Sequence, residues 1–95
     1  MVQKYKEMPI IIEAFELKTK DNISEKEIFH NAVCWIKQNP LVAHTAFYNQ
    51  KGVYIVTPER TMLAKLGDFI VKSQYKKFYP CKPDIFHKTY EKVET

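Results

Sequence analysis

From Pro9 the chain runs Ile10-Ile11-Ile12-Glu13-Ala14-Phe15-Glu16-Leu17, a stretch rich in β-branched and aromatic residues that predicts a strand. The eight residues before it are largely polar and read as a loosely held lead-in. Beyond a polar connection at Lys18 to Asn22 the apolar period changes. Ile28, Phe29, Ala32, Val33 and Ile36 recur at helical spacing, while Lys26, His30, Cys34 and Lys37 fall on another face. Ser24-Glu25-Lys26-Glu27 matches a capping box, in which the Ser24 hydroxyl accepts from the Glu27 amide and the Glu27 side chain reaches back to the cap. Ile23 and Ile28 occupy the two positions of a hydrophobic staple. Pro40 disfavours helical geometry at Asn39, so the spacing predicts a helix over 24–38.

After the helix the pattern alternates. Ala46-Phe47-Tyr48 and Val53-Tyr54-Ile55-Val56-Thr57 flank Asn49-Gln50-Lys51-Gly52, which predicts a hairpin with glycine late in its loop. Pro58-Glu59-Arg60 turns the chain again. Thr61 to Lys65 and Phe69 to Lys72 are short strands either side of Leu66-Gly67-Asp68, and Phe78-Tyr79 forms one more. Pro80 and Pro83 bracket Cys81-Lys82 and limit its conformations. Asp84 is placed to cap a short final helix with Ile85, Phe86, Tyr90 and Val93 on one side. The predicted class is α+β: a helix from the N-terminal half packed on a curled antiparallel sheet, with a short C-terminal helix. Residues 1–95 fit one domain.

Composition narrows the chemistry. Apolar residues at 45% and aromatic residues at 14% argue against disorder. There is no apolar run of transmembrane length, and the opening lacks the charged start and apolar core of a signal peptide, so a cytoplasmic setting is expected. Two glycines, Gly52 and Gly67, are too few for a Gly-rich phosphate loop. The net charge is +4, and the whole excess lies in residues 60–95. Fourteen lysines stand against a single arginine, Arg60, so a base-reading surface and a sequence-specific nucleic-acid partner are not expected. Lysine is also one of several residues that an A/T-rich genome inflates. Cys34 and Cys81 stand alone, and His30, His44 and His87 are too far apart for a short zinc motif, so no metal site, no cofactor and two free buried thiols are expected.

Three segments carry a resemblance. Met8-Pro9-Ile10-Ile11-Ile12-Glu13-Ala14-Phe15-Glu16, then Leu66-Gly67-Asp68-Phe69-Ile70-Val71, and finally Tyr79-Pro80-Cys81-Lys82-Pro83-Asp84-Ile85-Phe86 followed by Thr89-Tyr90-Glu91 are similar to the opening, the "PGDYI" element and the ending of a family of small bacteriophage and prophage proteins. The likeness spans residues 6 to 93 in the same order, and its last segment is the most specific. This chain departs from the pattern at Leu66, where proline is usual, and at Ser73-Gln74-Tyr75-Lys76-Lys77, where a glycine-containing turn is usual. The family's function is unassigned. The resemblance implies a phage or prophage source, hence a bacterial host cytoplasm, and supplies no reaction.

Among single residues Glu13 stands out, as an acid inside an apolar strand. If Phe15 and Leu17 mark the core face, Glu13 shares it and needs a partner; if Ile10, Ile12 and Ala14 mark it, Glu13 is wet. The expected cluster joins Glu13 to Tyr79 and Lys82, either as a ligand-binding site or as a network that pins the C-terminal segment. Gly67-Asp68 reads as a turn, and Ser24, Glu27 and Asp84 as capping residues. Cys81 with Tyr79 and Lys82 resembles a nucleophile with an acid and a cation, yet no histidine adjoins it in sequence. Trp35 is expected in the core or at an interface rather than as a ligand platform. The leading function is a non-enzymatic phage accessory domain binding a host protein, a phage protein or a small ligand, alone or as a homo-oligomer and without a membrane. The rivals are an inhibitor or ligand-sequestering protein aimed at host defence, and a small hydrolase or transferase using Glu13, Asp68 or Cys81.

Overall fold

The computed structural model describes residues 2–7, 10–19, 22–38, 45–73 and 77–92. The expected strand start at Pro9, the helix stop at Asn39–Pro40, His44, the turn at 74–76 and Val93 lie outside the described residues. Among the described residues eight strands and two helices follow in the order β1 (Val2–Glu7), β2 (Ile10–Glu16), α1 (Glu25–Lys37), β3 (Thr45–Asn49), β4 (Gly52–Val56), β5 (Thr61–Ala64), β6 (Phe69–Lys72), β7 (Phe78–Cys81), α2 (Pro83–Thr89) and β8 (Glu91–Lys92). The fold is α+β. No helix among the described residues is long and apolar enough to cross a membrane.

The expected single curled sheet is instead two antiparallel sheets, ordered β7-β6-β2-β1-β8 and β3-β4-β5. The division falls at Lys65-Leu66-Gly67-Asp68. This turn does not close a β5–β6 hairpin. The Gly67 amide donates to the Leu17 carbonyl at 2.7 Å and the Leu17 amide donates to the Asp68 carbonyl at 2.9 Å. Those two bonds lay the following strand beside β2, with Glu16 opposite Phe69 and Glu13 opposite Lys72. Gly67 has φ +97, a left-handed value that glycine adopts without strain. The polar opening is a second difference: Val2–Glu7 is strand β1, antiparallel to β2 and flanked by β8. It lines up with the apolar β2 through backbone pairing that runs from Val2 opposite Phe15 to Glu7 opposite Ile10.

The helix begins where the capping box places it. Ser24 is the N-cap, and its hydroxyl accepts from the Glu27 amide at 3.2 Å. Ile28, Phe29, Ala32, Val33 and Ile36 are buried, and Ile23 packs half-buried against the same core. Each larger side chain among them gains about 1.5–3 kcal/mol on full burial.

Both faces of the five-stranded sheet are covered. One face presents Phe15 and Ile70, joined by Phe78, to α1 and the three-stranded sheet, and Trp35 packs on Phe15 and Phe78 with ring centroids at 5.8 and 5.2 Å. The other presents Ile12, Ala14, Phe69 and Val71 to α2, anchored by Phe86, which stacks on Phe69 at 3.8 Å. Pro80 sits on the edge strand β7, where a missing amide costs least.

Candidate functional site

Register sends the three expected site residues to three different places. Ala14, Val71 and Tyr79 are cross-strand neighbours, and Glu13, Lys72 and Phe78 form the adjacent row. Successive residues of a strand face opposite sides. Glu13 therefore lies on the α1 side and Tyr79 on the α2 side, and the expected cluster of Glu13 with Tyr79 and Lys82 does not form. Glu13 instead pairs with Lys72 directly opposite, at 3.5 Å, in a half-open setting. The question of which face of β2 is buried resolves as both, with Glu13 at the partly open end of the Phe15 and Leu17 face.

Tyr79 meets Tyr90 instead, hydroxyl to hydroxyl at 2.6 Å. That bond ties the end of α2 to the sheet. The Lys82 ammonium reaches Asp68 at 3.4 Å. Asp68 is buried, and the same carboxylate oxygen accepts the Lys65 amide at 3.0 Å while the Asp68 amide donates to the Lys65 carbonyl at 2.9 Å. Asp68 is thus the closure of the sheet-switching turn. Asp84 is not the cap expected of it. Lys82 is the N-cap residue without a side-chain capping bond, Pro83 opens the helix, and Asp84 follows in its first turn. Proline fits that first position because its fixed φ is already helical.

Cys81 is a poor nucleophile. Burial pushes its thiol pKa up, and the carboxylates of Asp68 and Asp84 push in the same direction. Lys82, expected to favour the thiolate, is drawn to Asp68 instead. Cys34 departs from expectation too: it is exposed, and its sulfur lies 3.5 Å from His30 Nε2, one helical turn away. This thiol–imidazole contact was legible in the i, i+4 spacing. His30 also sets its ring edge against Tyr48, centroids 6.0 Å apart. Among the described residues no group of three or more His, Cys, Asp or Glu side chains converges to hold a metal ion.

Among the described residues a concave surface lies away from the three resembling segments. A cleft of about 330 Å³ opens between the first turns of α1 and the β3–β4 hairpin, lined by Glu25, Lys26, Phe29, Tyr48, Asn49 and Gln50. Capping fixes this geometry. Ser24 starts the helix so that Glu25 and Lys26 stand at the rim while Phe29, buried, forms the floor. Tyr48 comes from the inward face of β3 as the opposite wall. The Asn49 side chain accepts the Lys51 amide at 2.8 Å, which holds the hairpin loop in shape. A shallower depression beside it shares Lys26 and Tyr48 and adds Ser24, Glu27 and His30. An aromatic floor and wall suit a flat ligand, while the rim carries one ammonium, Lys26, and one carboxylate, Glu25, and the adjoining depression adds Glu27 and His30. Sequence reading missed this site because Lys26 and Tyr48 are distant in the chain and each has an ordinary explanation by itself. Comparison of the chain with protein-family models, with curated proteins and with solved structures finds no match.

Proposed function

We propose that the protein is a non-enzymatic binding domain that takes a small, flat ligand in the cleft between α1 and the β3–β4 hairpin. The observation that carries this reading is the cleft itself: an apolar floor at Phe29, an aromatic wall at Tyr48 and a rim with one acid, Glu25, and one cation, Lys26. Stacking on Tyr48 orients the ligand, and Lys26 and Glu25 at the rim meet its polar groups. The three segments similar to phage and prophage proteins support an accessory role in a bacterial host cytoplasm. A cleft of this kind fits a protein that withholds a small molecule from a host defence system.

The experiment uses anilinonaphthalene sulfonate, a flat aromatic anion, as the probe. Its fluorescence should rise with a saturable single-site isotherm on the folded protein. Tyr48→Ala and Lys26→Gln should each weaken binding about tenfold or less, in line with loss of one stacking or one partly exposed ionic contact. Lys77→Gln, away from the cleft, should change nothing. An isotherm unaltered by both cleft variants refutes the assignment.

A further inference from the structure

The three-stranded sheet has an outer face that the cleft does not use. Along β3, Ala46 and Tyr48 point inward to the core, so Thr45, Phe47 and Asn49 point outward; along β4 and β5 the outward positions are Gly52, Tyr54 and Val56, then Thr61 and Leu63. A sheet face turned to water is ordinarily polar. Here one cross-strand row, Phe47, Tyr54 and Leu63, is apolar. Phe47 is 49% exposed, and its ring lies parallel to that of Tyr54, with centroids 4.8 Å apart and an interplanar angle of 9°. Tyr54 sits between Phe47 and Leu63, so the stack ends at Phe47, on the sheet's edge strand.

Charge on the same unit is one-sided. Residues 45–65 carry Lys51, Arg60 and Lys65 against a single acid, Glu59. Lys51 and Lys65 lie at one end of the sheet, because the Gly52 backbone runs against Ala64 and Lys65. Arg60 lies at the other end, in the β4–β5 turn closed by Thr57, whose amide donates to the Arg60 carbonyl at 2.9 Å.

We infer that this face binds single-stranded nucleic acid without regard to sequence, an unpaired base continuing the Phe47–Tyr54 stack while the cations at the two ends meet phosphates. A base presents a flat π-face to the open end of the stack whatever its identity. The positions around the row are Thr45, Asn49, Gly52, Val56 and Thr61, of which Val56 is the one further large apolar side chain and is half-buried. A docked protein or a second copy would favour a broader apolar patch. Lysine-dominated charge gives affinity through counterion release but no base reading, which matches the lack of sequence preference.

The test is fluorescence anisotropy with a labelled oligothymidylate of about eight nucleotides, a length within the site range of small stacking domains. Wild-type protein should bind the single strand more tightly than a duplex of the same length. Phe47→Ala should weaken single-strand binding about tenfold with an unchanged denaturation midpoint, and Phe47→Tyr should retain it. Lys51→Gln with Lys65→Gln should lower affinity at low salt and flatten its salt dependence. The inference is overturned by three results: no binding at low salt, equal binding of duplex and single strand with no effect of Phe47→Ala, or a wild-type dimer in sedimentation that Phe47→Ala dissociates. The last assigns the face to a second copy of the chain.

Discussion

Replacing Asp68 should unlock the turn that passes the chain from one sheet to the other. Its carboxylate makes two contacts of unequal weight. The Lys65 amide bond is 3.0 Å long and charge-assisted, and its carboxylate is only 7% exposed, so its loss removes a well-shielded closure of the turn. That costs about 1–3 kcal/mol. The Lys82 contact is 3.4 Å long and its ammonium side chain is 60% exposed, so solvent screening holds it to about 0–1 kcal/mol. Asp68→Ala should therefore lose about 2 kcal/mol, a Tm drop of about 8–16 °C at the roughly 4–8 °C per kcal/mol of a domain this size. Asp68→Asn retains an acceptor oxygen and should lose less than half of that. Lys82→Gln should cost under about 0.5 kcal/mol. Thermal and urea unfolding of the three variants decide the matter. If Lys82→Gln costs as much as Asp68→Ala, the ion pair and not the backbone closure holds the turn, and the reasoning fails.

Ser24→Ala should lower stability by about 1 kcal/mol through loss of the N-cap acceptor, and an unchanged urea midpoint would show α1 held by packing alone. Tyr79→Phe should cost about 1 kcal/mol by removing the 2.6 Å bond to Tyr90, read as earlier proteolysis of the C-terminal segment as well as a lower Tm. Iodoacetamide should label exposed Cys34 before Cys81 at neutral pH; equal rates would contradict the raised pKa of Cys81. That raised pKa also has a stability consequence. Above the ordinary thiol pKa of about 8.5 the unfolded chain releases this proton while the native one retains it, so stability should fall as pH rises through the alkaline range toward the native pKa. This contribution to the slope should disappear in Cys81→Ala.

Local signals were the legible ones. The capping box at Ser24 and the apolar spacing from Ile28 to Ile36 place α1 to within a residue at each end. The hairpin turn at Gln50-Lys51 and the strand at Phe78 were also readable, because glycine, proline and alternation act over a few residues. The sheet division was not, since the bonds between Gly67, Asp68 and Leu17 join residues some fifty positions apart, and a local turn signal is the same whether its strands pair with each other or not. Glu13 shows the same limit. Its need for a partner followed from the apolar strand around it, but the partner depended on register, and one residue of register decides between Lys72 and the opposite face. The cleft was hidden for a related reason: Lys26 and Tyr48 are brought together only by the packing of α1 on β3.

The pairing of β2 with β6 bears on how the chain acquires its shape during synthesis. Strands β1 and β2 leave the ribosome first and can join as a hairpin at once, but the neighbour on the far side of β2 is made more than fifty residues later. Meanwhile α1 and the β3-β4-β5 meander, whose contacts are short in sequence, have all their parts in hand. The far edge of β2 waits unpaired until Phe69 to Lys72 arrives, and the face beneath α2 waits longer still for Phe86. Long-range strand pairing of this kind slows folding and leaves an unpaired edge in the interim. Truncated chains ending before residue 69 should accordingly be the ones that recruit chaperones or aggregate.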